Sequence, residues 1–418
     1  MSSELKLNPY AVLGAEADET GNYCILIAPK INEGLQILGV TESERPDLYR
    51  LLAELSGVGL DLLDIENDLD NDARELLTRS GVLVTAENVP EKPLFSCPLD
   101  GIEIGAANGI NAANAAQVNP TFRFEPFDLS SFRALIADKH FSPYLPTAWI
   151  KSAGTRLDLG YWLTTEQASA VSQLRAGGPV PADIDPDLRA KLAAAEIIIE
   201  ADSYSEKEKN AAGRIEEAKK LFLQDKYATL RNVIPAPHIR SMQAFYRAYT
   251  AQGFMPFGDS VVKRRFRQAN EPLARFFHRS LTPLMSKLVG AEIKPSYCYA
   301  ASYREGADLR PHVDREACEY SFSLQVDYEP EPADGISPWP LWLSTRILYE
   351  NVENGHSLEW SDCPPDDKTE RSILLGNGDC LAYRGRALAH YRYELPQGHR
   401  STSLFFHYVP LDFDDVII

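Results

Sequence analysis

Several things are scarce in this chain, and each scarcity narrows what it does. No apolar run approaches the roughly 20 residues that a helix needs to cross a bilayer, which argues against a helical membrane protein. The opening stretch, MSSELKLNPY, has no basic segment followed by an apolar core, so no secretory leader is expected and a cytoplasmic location is. Positive charge is in deficit: 42 Lys and Arg stand against 60 Asp and Glu, a net charge of −18. That balance argues against nucleic acid or an anionic membrane as the main partner. Cysteine is sparse and irregular. Cys24, Cys97, Cys298, Cys318, Cys363 and Cys380 contain no Cys-x-x-Cys, so neither a zinc site nor a disulfide framework is indicated. The single dense basic run, Lys263, Arg264, Arg265 and Arg267, reads as the solvated face of a helix or as an anchor for an acidic substrate.

At 418 residues there is room for two or three domains. From residue 295 onward helical periodicity nearly disappears and short strands take over. In YCYAASY, Tyr297, Tyr299, Ala301 and Tyr303 share one face; in YSFSLQVDY, Tyr320, Phe322, Leu324 and Val326 alternate with Ser321, Ser323, Gln325 and Asp327. A Gly-Asn-Gly-Asp turn at Gly376 to Asp379 joins two further strands, and STSLFFHYVPL makes the last. Many short strands with turn punctuation predict a jelly-roll barrel. Between the first two strands lies RPHVDR. His312 and Asp314, two apart on a strand, point to one side and can present an imidazole nitrogen and a carboxylate oxygen to the same ion. His390, in LAHYRYELPQGHRS, supplies a third ligand if the chain folds back between them. Two imidazoles and a carboxylate leave open positions and suit Fe(II), although the same set also takes Mn, Co, Ni or Zn. His399 and His407 are rivals for the ligand role; His356 reads as a loop residue.

In the Tyr-rich strand, the HVD segment, the Gly-Asp turn, the distal His390 and Arg400, the last two hundred residues resemble the Fe(II)/2-oxoglutarate-dependent dioxygenases, in particular the prolyl-4-hydroxylase branch. The resemblance implies that His312, Asp314 and His390 ligate iron and that Arg400 pairs its planar fork with the distal carboxylate of 2-oxoglutarate. It implies further that Thr402 and Tyr303 contact that co-substrate. Arg386 and Arg392 flank His390 and are alternatives to Arg400. The implied reaction consumes 2-oxoglutarate and O2 and hydroxylates a C–H bond; halogenating relatives lack the carboxylate that Asp314 provides. Tyr299, Tyr383, Trp339, Trp342 and Trp360 are candidates to line the cavity. Competing classes are a cupin-type metalloenzyme that takes no oxo acid and a binding protein with a vestigial site.

The N-terminal half has another texture. A β-hairpin over residues 22 to 40, helices in DLYRLLAEL and DNDARELLTRSG, and the strand-like GVLVTAE suggest a small winged-helix-like unit. The order helix, Gly, acidic loop, helix and apolar strand recurs in EQASAVSQLRAGGPVPADIDPDLRAKLAAAEIIIEADSYSEK, as in a repeat. The segment from Gly105 to Pro120 reads as a linker. The expected architecture is therefore α+β: a winged-helix-like unit over 1–104, a linker and second such unit over 105–220, and a jelly-roll oxygenase domain with supporting helices over 221–418. The N-terminal pattern resembles winged-helix elements that hold leader peptides by adding them as a strand, so a peptide substrate is expected beside the alternative of a small molecule. Packing against the barrel or formation of a homodimer are the other roles open to it.

Overall fold

The computed structural model describes residues 4–8, 11–18, 21–30, 34–56, 63–88, 95, 97–104, 116–125, 146–347 and 369–414. His356, Trp360 and Cys363, and the Gly105–Ala115 part of the expected linker, lie outside these residues. The chain divides into two compact units, one holding residues 1–95, 127–144 and 244–256, the other 96–126, 145–243 and 257–418.

In the first unit, β1 (Leu5–Leu7), β2 (Val12–Asp18), β3 (Gly21–Lys30) and β4 (Gly34–Thr41) precede α1 (Pro46–Ser56), α2 (Asn71–Arg79) and β5 (Leu83–Thr85). Strands β2, β3 and β4 form an antiparallel meander, and β1 pairs with β5. The expected hairpin is β3 and β4; β2 adds a strand that patterning did not reveal. Cys24, Leu26 and Ala28 alternate inward on β3 and meet Leu48, Leu52 and Leu55, which recur at helical spacing on α1. Asp70 starts α2 by accepting from the Ala73 amide at 2.7 Å.

The second unit opens with the same plan. Strands β6 (Ala116–Val118), β7 (Arg123–Glu125), β8 (Thr147–Lys151) and β9 (Asp158–Trp162) are followed by α3 (Thr165–Val171), α4 (Pro186–Ala194) and β10 (Ile198–Glu200). Strands β7, β8 and β9 are again a meander, and β6 pairs with β10 as β1 does with β5. Details recur too. The Asn8 amide nitrogen donates to Gly81 O at 2.8 Å, and Asn119 donates to Glu196 O at 2.9 Å. Their backbone amides bond Val82 O and Ile197 O, both at 2.8 Å. Gly81 and Glu196, which end α2 and α4, both have positive φ, 76° and 56°. Asn-Pro precedes both meanders in sequence, a signal that the order of elements alone had hidden.

Helix α5 (Ala201–Asp225), β11 (Tyr227–Leu230), α6 (Ala236–Ala251), β12 (Arg265–Ala269) and α7 (Pro272–Val289) lead to the strand-rich region. There follow β13 (Ile293–Arg304), β14 (Leu309–His312), β15 (Tyr320–Glu329), β16 (Leu341–Ile347), β17 (Glu370–Ile373), β18 (Cys380–Tyr383), β19 (Leu388–Arg392) and β20 (Arg400–Pro410). Instead of one closed barrel, the described strands make two antiparallel sheets, ordered β11-β18-β15-β20-β13-β12 and β14-β19-β16-β17. The large sheet buries its apolar face against α7, where His278 stacks on Phe406 and edges Tyr408. Its other face carries Ser321, Ser323, Tyr303 and His407 toward the small sheet. The basic run lies at the start of β12 and not on a helix; Arg265 turns inward and bonds Asp259 at 2.8 Å. The five described cysteines are buried and unpaired. Among the described residues no helix is long and apolar enough to cross a membrane.

Candidate metal centre

Strands β14 and β19 pair so that His312 stands directly opposite His390. Asp314 follows β14, its amide bonded to Gly385 O at 2.9 Å. The strand parity of His-x-Asp thus survives although the strand itself ends at His312. One ligand atom from each of His312, Asp314 and His390 can be chosen such that all lie within 4.8 Å of one another. Asp314 Oδ1 is 3.5 Å from His390 Nε2 and 3.9 Å from His312 Nε2.

Both imidazoles are oriented by the chain itself. His312 Nδ1 is 2.9 Å from Arg310 O and His390 Nδ1 is 3.1 Å from Leu388 O, each two residues back. A carbonyl only accepts, so each Nδ1 donates and each Nε2 is the ring nitrogen turned toward Asp314; in the metal-free protein Asp314 favours the charged form of His390. Ligating histidines are commonly held this way. The second carboxylate oxygen is held as well: Ser321 Oγ donates to Asp314 Oδ2 at 3.0 Å and sits 2.9 Å from His407 Nδ1. Burial, reinforced by His390, pushes the His312 imidazole down to about 4. For Asp314, burial opposes ionisation, but His390, His407 and His312 together hold it well below the usual carboxylate range. One ionised carboxylate beside two imidazole Nε2 atoms is a donor set that fits a divalent transition metal, which would displace any proton held between them.

Of the rival histidines, His407 also falls within ligand distance of Asp314 and Cys318, while His399 is engaged elsewhere. His407 supports Asp314 through Ser321 and lies against Tyr297, ring centroids 4.7 Å apart. His399 Nδ1 bonds the Tyr328 hydroxyl at 2.7 Å.

Arg400 is not brought to the cluster. It begins β20 half-exposed, with Nε 2.8 Å from Glu329 Oε2. On β20, Arg400 and Thr402 share a face with Leu404, Phe406 and Tyr408, the face packed on α7; Ser401, Ser403, Phe405 and His407 face the cluster. Thr402 Oγ1 bonds Ser302 Oγ at 2.9 Å on that outer side. Parity therefore places both residues on the face of β20 opposite to Ser401 and His407. Tyr303, opposite Ser401, does face inward and is buried. Its ring meets Trp339 edge-on at 5.2 Å, and its hydroxyl is 3.5 Å from Arg265 Nη1. Tyr383 lies inside too, edge-on to His390 at 4.9 Å. Trp342 stacks on Tyr391, on the side of β19 away from His390.

Two residues after His390, and on its side of β19, stands Arg392, 2 % exposed. Its guanidinium lies over Trp339, 4.4 Å from the ring centroid, and Nη1 donates to Trp339 O at 2.7 Å. Nε is buried without a partner. Burial pushes this arginine down to about 10, while the hydroxyls of Tyr303, Tyr383 and Tyr328 favour its charged form.

No family model matches the chain, and no curated protein sequence does. Solved structures do. A prolyl-4-hydroxylase from Pseudomonas putida shares 14% identity over 47% of this chain and 98% of its own, with a TM-score of 0.36. HygX from Streptomyces hygroscopicus, solved with nickel, 2-oxoglutarate and hygromycin B, shares 14% over 47% of this chain and 88% of its own, TM-score 0.37. The non-haem alpha-ketoglutarate-dependent epimerase SnoN of nogalamycin biosynthesis shares 14% over 47% and 84%, TM-score 0.38.

Proposed function

We propose that this protein is an Fe(II)- and 2-oxoglutarate-dependent oxygenase that hydroxylates a C–H bond of a peptide or amino-acid side chain. The observation that carries the reading is the grouping of His312, Asp314 and His390, with both Nδ1 atoms engaged by backbone carbonyls and both Nε2 atoms turned inward. His312 Nε2, His390 Nε2 and Asp314 Oδ1 would hold the iron. Bound there with a 2-oxo acid, iron couples reduction of O2 and decarboxylation of the acid to oxidation of a substrate. The chain's own groups do the rest. Ser321 and His407 fix the carboxylate in one orientation, the carbonyls of Arg310 and Leu388 fix the two rings, and Tyr297 and Tyr383 pack against His407 and His390.

Anaerobic titration of the Fe(II)-loaded protein with 2-oxoglutarate tests this through the visible absorption band of the chelate. The band is expected in the parent protein and absent from Asp314→Ala. A parent protein that never develops it, while still binding Fe(II), is instead a metalloenzyme that takes no 2-oxo acid, a reading favoured by the outward face of Arg400.

For the substrate, the two copies of meander, helix pair and short strand pair support peptide capture by strand addition in the manner of winged-helix-like units. Peptides are then expected to accelerate 2-oxoglutarate decarboxylation where free amino acids do not. Acceleration by free amino acids or small natural products alone would contradict it.

A further inference from the structure

We infer that Arg392, and not Arg400, receives the distal carboxylate of a 2-oxo diacid beside the metal cluster; this rests on the iron and 2-oxo-acid reading above. Arg392 follows His390 by two residues on β19, so strand parity sends both side chains to the same side of the small sheet. Anything bound by His390 is therefore within reach of a neighbour on the same strand.

The arginine is built like half of an ion pair. It is buried, and no carboxylate among the described residues lies within salt-bridge distance of it, whereas its competitors are all neutralised. Arg265 pairs with Asp259 at 2.8 Å, Arg386 with Glu316 at 3.8 Å, Arg384 with Glu319 at 2.5 Å and Arg400 with Glu329 at 2.8 Å. A buried charge without a counter-ion is strongly unfavourable, and the face of Trp339 offsets only part of that. A ligand that brings its own negative charge removes the deficit.

The orientation selects a carboxylate. Nη1 is already committed to Trp339 O, and Nε is shut from water with nothing to donate to. The edge formed by Nε and Nη2 remains, and that edge presents two parallel N–H groups at the spacing of carboxylate oxygens. Tyr303 packs edge-on against the same Trp339 ring that carries the guanidinium, so its side chain lies beside Arg392. Tyr303 thereby keeps the co-substrate contact expected of it, with a different arginine as its partner.

The test uses the Fe(II)-loaded protein without O2 and compares 2-oxoglutarate with 2-oxopentanoate, which keeps the chelating end and lacks the distal carboxylate. The chelate band reports the dissociation constant of each acid with no need for turnover. In the parent protein 2-oxoglutarate should bind the tighter by on the order of 100-fold, the scale of a buried charge-assisted pair. Arg392→Met should lose that preference by weakening 2-oxoglutarate alone, and Arg400→Met should keep it. Because Trp339 rests on the guanidinium, Arg392→Lys is measured alongside: it keeps the charge, loses the fork, and should weaken 2-oxoglutarate partly with 2-oxopentanoate unchanged. Parent-like preference in both Arg392 variants, or its loss in Arg400→Met, overturns the inference while leaving the iron and 2-oxo-acid reading intact. Absence of a band with either acid in the parent overturns that reading instead.

Discussion

Gly385 shows how little room the metal cluster leaves. A Cβ there would run into Asp314 Oδ2 and come within 2.7 Å of Cys318 O and Ser321 Oγ. The serine can rotate; the carbonyl belongs to the backbone and cannot easily yield. Gly385→Ala should therefore push the Asp314 carboxylate off His390, weakening Fe(II) or Ni(II) binding by roughly 10- to 100-fold, as for loss of a group that orients a ligand. Competition against a coloured chelator measures this, and metal affinity equal to the parent's would show that the carboxylate is free to move. The same scale explains what patterning revealed and what it did not. His312 and Asp314 were legible because two-residue parity is a local property, and His390 because the set was incomplete without it. The spacing of Arg400 from His390 says nothing of which side of β20 it leaves; that side, shared with Phe406 and Tyr408 against His278, is visible only in the folded strand. Arg392 shares the parity of His390 and was equally visible, but whether a guanidinium has a carboxylate partner depends on chain segments distant in sequence.

The repeated plan of β1–β5 and β6–β10 makes a prediction at the level of elements. In each copy one buried Asn ties the strand before the meander to the turn that ends the second helix. Asn119 is fully buried; its amide bonds Glu196 O, and its carbonyl accepts from Thr121 N at 2.9 Å and Thr121 Oγ1 at 2.7 Å. Asn119→Ala strands these groups, at about 2 kcal/mol for the buried ones left unmet. Amide hydrogen exchange should then accelerate at Ile197–Glu200 and stay unchanged at Leu83–Thr85, and Asn8→Ala should do the reverse. Equal acceleration in both places would mean that the two copies are not separate structural modules. Sequence alone exposed the helix pair and closing strand in both copies, since Leu48, Leu52 and Leu55 recur at helical spacing and Ile197, Ile198 and Ile199 form an apolar run, but it showed neither β2 nor the meander of the second copy. Strands β1 and β6 are three residues long. No periodicity can show in so short a stretch, and only their pairing with β5 and β10 defines them.

Across the whole molecule, acid is a sharper threat than the net charge of −18 suggests, because the second unit encloses histidines that must stay neutral. Burial pushes His238 down to about 4, against its bond to Gly160 O, and pushes His278 down to about 3 although it bonds His407 O. In the unfolded chain both return to the ordinary value near 6.5. Between about 6.5 and 4 the unfolded state therefore binds more protons than the folded one, and stability rises with pH through that window. It is fully present above the unfolded value and is lost on acidification, each histidine contributing a slope of up to about 1.4 kcal/mol per pH unit. In metal-free protein His312 and His407 act in the same sense and His390 in the opposite one. Urea denaturation should accordingly show a midpoint that is steady above pH 7 and falls between pH 6.5 and 5. His278→Phe keeps a ring against Phe406 and Tyr408 and forfeits the bond to His407 O. It should be less stable than the parent at pH 7.5, with a shallower loss on acidification. A midpoint indifferent to pH over that range would mean that these side chains are reached by water and protonate without unfolding, and that the face of the large sheet packed on α7 is looser than its stacked rings imply.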